Sequence, residues 1–174
     1  LPYDYLVIAT GAKHSYFGNE HWGAVAPGLK TVTDALNIRE RILISFEKAE
    51  RMESIQDAKK FLNFAIIGAG PTGVEMAGAI AEIAYKTMLK NFRHINPKKC
   101  KVFLIEGLPR ILPTFPEKLS DKAQKNLEQM GVTVITNKIV TNINEEGIQL
   151  GDEFIEAHNV IWAAGNQASP LLKT

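Results

Sequence analysis

An apolar strand that runs into G-x-G-x-x-G and on into a long helix constrains this chain more than anything else in it. The stretch is Phe64-Ala-Ile-Ile-Gly-Ala-Gly-Pro-Thr-Gly-Val-Glu75. Gly68 permits the tight strand-to-helix turn, and Gly70 lets the backbone approach phosphates with no Cβ in the way. Gly73 allows close packing of helix on strand, while the first helical N–H groups and the helix dipole face negative charge. The glycines alone are a weak signal; placed between a strand and a helix they are a good one. They imply a site for a dinucleotide.

The chain has 174 residues, enough for one domain with a proper core, or one domain plus fragments of another. Its 45% hydrophobic and 22% charged residues are ordinary for a globular protein, and a net charge of +1 gives no reason to propose nucleic acid as a partner. A local basic cluster (Lys86, Lys90, Arg93, Lys98, Lys99, Lys101) reads as a solvated surface in preference to a membrane-docking patch. Cys100 is the only cysteine, so the sequence implies a reducing compartment and an inert thiol beside a strand. The longest apolar region, Phe64 to Ala84, is interrupted by Pro71, Glu75 and Glu82, which argues against a membrane span. The chain opens on Leu1 and not Met, so it reads as an excised piece from which a targeting segment or anchor has been lost.

Tyr3 to Thr10 has the pattern of a buried strand closed by Gly11. A polar and aromatic loop runs from His14 through Trp22 to the turn signal Pro27-Gly28. From Thr33 to about Met52, apolar residues at Ala35, Ile38, Ile42, Phe46 and Ala49 predict a helix, with Thr33 or Asp34 as its cap. A strand Phe61–Ile67 and a helix from about Pro71 to Phe92 follow. Gly73, Ala77, Ala81 and Ala84 give that helix a stripe of small residues, which brings its axis close to the sheet. Lys101–Glu106 reads as a strand, Ser120 to about Met130 as a helix capped by Ser120 with Gly131 just past its end, and Val132–Thr136 as a strand. Asn137 to Ala157 predicts a small antiparallel meander and Asn159–Ala163 a last strand. The expected fold is α/β, a Rossmann-like parallel sheet flanked by helices with antiparallel additions. Tyr5–Gly11 and Val160–Gly165 echo one another, and read as crossing points into a second domain.

A dinucleotide site also needs a group that reads the adenosine ribose. Glu106 closes its strand about 33 residues beyond Gly73, farther than the usual spacing of about 20, and the long helix and the loop Arg93–Cys100 account for the excess. No Asp or Glu lies between Glu82 and Glu106 to compete. A carboxylate there favours NAD(H) over NADP(H), although Arg110 is close enough in sequence to reach a 2′-phosphate. Glu75 sits in the first turn of the phosphate-facing helix. Either it answers the helix dipole or it lies beside the nicotinamide end of the cofactor, and the two roles are compatible. His14, Glu20 and His21 lack the fixed face that a helical ligand pair supplies, so no metal site is expected.

With these pieces placed, the sequence resembles the type II NADH:quinone oxidoreductases, flavoproteins with two dinucleotide-binding domains. The likeness runs through YDYLVIATGAKHSYFG, APGLKT, GAGPTGVEMAG, FRHINP, LPRILPTFPEKLS and VIWAAG. It implies that residues 1–30 belong to an FAD domain, residues 31–163 form the NADH domain, and residues 164–174 lead back. Gly68, Gly70, Pro71, Thr72 and Gly73 would then hold the NADH pyrophosphate and Glu106 its ribose. Glu75 would lie at the nicotinamide–flavin contact, and Thr10, Gly11, Ala164 and Gly165 near the flavin. Quinone, the cytoplasmic face of an inner membrane and a second copy of the chain are the further partners implied. Most of a flavin site is missing, so the piece is expected to fold and bind NADH but not to reduce quinone. A disulfide or ferredoxin reductase of the same superfamily, or a non-catalytic NAD-binding module, are the competing readings.

Overall fold

In the computed structural model, which describes residues 2–173, a four-stranded parallel sheet divides the molecule into two packed halves. Its strands are β2 (Asn63–Ile67), β3 (Lys101–Ile105), β4 (Val132–Ile135) and β8 (Asn159–Trp162), in spatial order β4-β3-β2-β8. The register runs Ala65↔Phe103 and Ile66↔Leu104 on one side of β2, and Ile66↔Ile161 on the other. Phe64 through Ile67 are all buried, the near-continuous apolar run of a strand covered on both faces.

One face carries three helices: α1 (Val32–Glu50), α3 (Pro71–Glu82) and α4 (Glu117–Gln129). Ile38, Ile42, Phe46 and Ala49 of α1 join Ile80 of α3 and Leu127 of α4 over Phe64, Ile66, Val102 and Leu104. The other face is covered by a meander, β5 (Asn142–Ile143), β6 (Gly147–Leu150) and β7 (Glu153–Glu156). Ile143, Ile148 and Leu150 pack there with Ala65, Ile67, Ile105, Val160 and Trp162. The Rossmann-like sheet, a helix in each of the crossovers from β2 to β3 and from β3 to β4, and the meander are as the sequence predicts.

The differences are local and each has a cause. Residues 3–10 form no strand; Tyr5 is 94% and Val7 86% exposed. A strand pattern becomes a strand only beside a partner edge, and the chain supplies none at that point. One step later, β1 (Ala12–His14) does find a partner in β9 (Asn166–Ala168), antiparallel, with Lys13↔Gln167. The echoing segments therefore meet just beyond their ends. Thr31, not Thr33 or Asp34, caps α1. Its hydroxyl accepts from the Asp34 N–H at 3.1 Å while Asp34 accepts from the Thr31 N–H at 2.8 Å, a reciprocal capping box.

A short helix α2 (Ile55–Phe61), begun by Ser54, takes the residues before β2 and delays that strand to Asn63. It buries only Ala58, so it carries no apolar stripe to read. The α3 helix stops at Glu82 and continues as a π turn (Ile83–Thr87) and a 3-10 turn (Met88–Lys90), shorter than the expected run to Phe92. Helix α4 starts at Glu117 behind Pro116, and Ser120 lies inside it. The Ser120 side chain is buried and donates to the Ile111 carbonyl at 2.6 Å, tying α4 to the loop before it. Gly131 follows α4 at φ +91°, as a residue just past a helix end does.

Candidate functional site

The carboxyl ends of β2 and β3 and the amino end of α3 meet at one turn, where three glycines answer to three different constraints. Gly68 has φ +97°, and a Cβ there would sit 2.4 Å from the Ala164 Cα, so the end of β8 can pass only a glycine. A Cβ on Gly73 would stand 1.8 Å from the Gly68 carbonyl oxygen, which sets how closely α3 approaches the turn. Gly70, the N-cap of α3, is the opposite case: nothing lies within 4 Å of a Cβ built there. No side chain caps the helix, and Pro71 occupies its first position. The amides of the first turn thus face open space beside a residue with no side chain. That is the geometry in which backbone N–H groups hold an anion.

Glu106 stands beside this turn, half-buried, at the end of β3. One carboxylate oxygen accepts the Ala69 N–H at 2.8 Å and the other the Leu108 N–H at 3.0 Å. Glu106 therefore fastens the glycine turn to the next loop, and an ionised carboxylate still has lone pairs for further donors. Arg110 is turned away from such a role. Its guanidinium donates to the carbonyls of Pro113 at 2.7 Å, Phe115 at 2.8 Å and Leu112 at 3.4 Å. The cation that sequence offered for a 2′-phosphate holds its own loop together.

A cavity of about 430 Å³ opens next to Gly68 and Glu106. Its walls include Phe17, Trp22, Gly107, Ile139, Val140 and Trp162. Trp162 is the hub of its aromatic side, with ring centroids 5.0 Å from Tyr16, 5.7 Å from Trp22 and 6.1 Å from Phe17. Its indole N–H donates to the Ser15 carbonyl at 2.8 Å. Ile139 and Val140 were not singled out from sequence. The signal was available: they follow β4, and ligands on an open α/β sheet lie beyond the carboxyl ends of its strands.

Of the residues expected in a site, Gly68, Gly70, Pro71, Thr72, Gly73 and Glu106 converge here, and Ala164 lies against Gly68. Glu75 is exposed on the second turn of α3, not in the first turn where the sequence put it, because the helix already begins at Pro71. Gly165 is packed by the Phe17 ring, 2.7 Å from a built Cβ. Thr10 and Gly11 lie in the exposed segment ahead of β1, and among the described residues no hydrogen bond joins them to the glycine turn. The histidines of the first loop part company. His14 packs on Gly28, with its Nε2 4.0 Å from Asp34, while His21 sits edge-on to Trp22.

The match to known proteins covers the whole molecule. The pyridine nucleotide-disulphide oxidoreductase family aligns over residues 1–174. The chain belongs to that family. Within it, the chain is 46% identical over 177 residues to the type II NADH:quinone oxidoreductase NdhA of Mycobacterium tuberculosis, and 44% identical to Ndh of the same organism. It covers 99% and 98% of itself in these matches but only 38% of either relative, so it spans under two-fifths of their length. The structure of NDH2 from Plasmodium falciparum in complex with NADH superposes with a TM-score of 0.89 at 30% identity, over 99% of this chain and 36% of that one. The putidaredoxin reductase–putidaredoxin complex shares the fold, at 20% identity and a TM-score of 0.66.

Membership of the pyridine nucleotide-disulphide oxidoreductase family brings no dithiol to this chain. Cys100 is its only cysteine, is buried, and burial pushes its thiol pKa up to about 12. A thiol held neutral at physiological pH is a poor nucleophile, so Cys100 serves the core.

Proposed function

We propose that this chain is the NADH-binding part of a flavin-dependent NADH:quinone oxidoreductase, and that the glycine turn holds the pyrophosphate. Residues 31–163 form the NADH domain in this reading, with residues 1–30 and 164–174 belonging to an FAD domain. The observation that carries it is the contrast at the turn: a Cβ is excluded at Gly68 and Gly73 by the protein itself, whereas at Gly70 nothing in the protein excludes one. Gly70 is then a glycine for the ligand's sake. The close likeness to the mycobacterial enzymes supports the same assignment.

Each residue has a stated task. The amides of the first turn of α3, at Thr72 and Gly73, donate to the phosphates behind Pro71, while Glu106 accepts from the ribose hydroxyls and repels a 2′-phosphate. The cavity between Gly107, Ile139 and Val140 takes the adenosine end. Glu75 stands on the side toward the nicotinamide. Thr10, Gly11, Ala164 and Gly165 are what this chain offers a flavin, and the exposed apolar run from Tyr3 to Ile8 would be covered by the rest of that domain. A bound flavin supplies the hydride acceptance and electron transfer; the protein orients the nicotinamide and excludes water. Among the described residues no helix is long and apolar enough to cross a membrane. Attachment to the cytoplasmic face of an inner membrane and pairing with a second copy belong to the same reading of the intact enzyme.

The test is Gly70→Ala. Its backbone (φ −70°) suits alanine and its Cβ meets nothing. Stability to urea should stay within about 0.5 kcal/mol of the parent, while NADH affinity by calorimetry should fall by about tenfold or more. Undiminished affinity would remove the pyrophosphate from this turn.

A further inference from the structure

We propose a second ligand site at the opposite end of the sheet, for a phosphate ester that carries an apolar body. A cavity of about 960 Å³ lies there, outside the amino ends of β2 and β3. It is formed by the end of α1, by α2 and by the loop that precedes β3. Arg51, Lys59, Arg93 and Lys99 stand at its wall. Met52, Ile55, Ala58, Leu62 and Ile95 supply its apolar lining, Ile55 being 67% exposed.

The basic cluster that reads as a solvated face in sequence is thus gathered, in part, onto a concave surface. Its cations have no internal use. Among the described residues Arg51, Arg93 and Lys99 make no side-chain hydrogen bond or ion pair, and the Lys59 ammonium reaches only the Gln56 amide oxygen, at 3.0 Å. The carboxylate at the centre is already engaged. Glu50 accepts from three successive backbone N–H groups, Arg93 at 2.8 Å, His94 at 3.0 Å and Ile95 at 3.0 Å, and pairs with the His94 ring at 3.1 Å. Glu50 fixes the loop that carries Arg93, and Arg93 and Lys99 line the same cavity as Arg51 and Lys59. Glu53 is the other acid on the wall, leaving the excess positive. Guanidinium and ammonium groups over aliphatic side chains suit a phosphate ester with a short acyl or aromatic portion. A lipid headgroup and a soluble phosphorylated metabolite both have that chemistry.

The probes are dihexanoyl phosphatidic acid below its micellar concentration and inorganic phosphate, titrated into this chain by calorimetry. The short-chain lipid should bind more tightly than phosphate. Arg93→Ala with Lys99→Ala should weaken it by about tenfold, with NADH affinity and melting temperature unchanged. Ile55→Ser should weaken the lipid alone and leave phosphate as it was. Cosedimentation with phosphatidylglycerol vesicles, but not phosphatidylcholine vesicles, would assign the site to a membrane headgroup; binding of the soluble probe without cosedimentation would assign it to a metabolite. Equal affinity of the parent and the double variant overturns the proposal, as does displacement of the lipid by NADH, which would put it at the glycine turn instead.

Discussion

The two ends of one parallel sheet, in the two proposals made for them, would meet anions by contrary means. At the carboxyl end the donors are backbone amides on a turn whose glycines are fixed by packing, and the nearest ionisable group, Glu106, is negative. At the amino end the donors are long cationic side chains around a cavity, and the backbone amides of residues 93–95 are already taken by Glu50. The first arrangement would select by shape and lose little entropy when a ligand arrives. The second would select by charge, with freer side chains to order, and would be more readily screened by salt. A site built from main chain tolerates no change of backbone, whereas a site built from surface side chains can be erased without disturbing the fold.

The largest test of that contrast is steric. Gly68→Ala and Gly73→Ala each force a Cβ onto main-chain atoms, Gly68 at positive φ besides. Each should destabilise the chain by about 3 kcal/mol in urea unfolding, whereas alanine at Arg93 or Lys99 should cost nothing measurable. A mild effect at Gly73 would mean that α3 is not seated on the turn as described.

A smaller effect is expected at Glu106→Gln, which keeps the shape of the side chain but removes the charge that accepts from Ala69 and Leu108. NADH affinity should drop by about tenfold and the preference over NADPH should narrow. If Glu106 also steadies the turn, reduced nicotinamide mononucleotide, which lacks the adenosine ribose, should bind more weakly too. An unchanged affinity for that half-molecule would reduce Glu106 to a reader of ribose alone.

The smallest effect concerns the amino end and depends on pH. Loss of solvent raises the Glu50 carboxyl, but the N–H groups of Arg93, Ile95 and His94 and the His94 charge outweigh it, leaving the pKa below its ordinary 4.5. A carboxylate depressed in the folded state adds stability above its unfolded pKa, and that contribution is lost as pH falls through the folded value. Glu50→Gln should therefore speed amide exchange in residues 91–96 at pH 6 to 7. The difference from the parent should fade as the pH falls below the ordinary 4.5 and through the depressed folded value. A difference that persisted at low pH would show that the carboxylate's charge is not what holds the loop.

Two apolar segments show how far the pattern of residues could be read. Phe64–Ile67 and Leu6–Thr10 look alike as sequence, yet the first is a buried central strand and the second is exposed chain. Helix α1 was legible from its stripe at Ile38, Ile42, Phe46 and Ala49, while α2, with only Ala58 buried, left no periodic trace. Its signal was chemical: Ser54 caps it and Asp57 lies in its first turn. The glycine turn and Glu106 could be named from spacing because they belong to one βαβ unit, where neighbours in sequence are neighbours in space. Trp22, Val140 and Trp162 line the same cavity from segments far apart in the chain, and no local pattern joins them.

The amino-acid sequence alone determined the parallel sheet, its crossover helices and the glycine turn, because periodicity and φ preference act within a few residues. Only the tertiary structure decided which apolar run became a strand, where Arg110 points, and that Glu106 grips Ala69 and Leu108. It also drew Arg51 and Lys59 to the same cavity as Arg93 and Lys99. These outcomes depend on which edges, carbonyls and cavities are brought within a few ångströms by distant parts of the chain, and chain order does not encode such distances residue by residue.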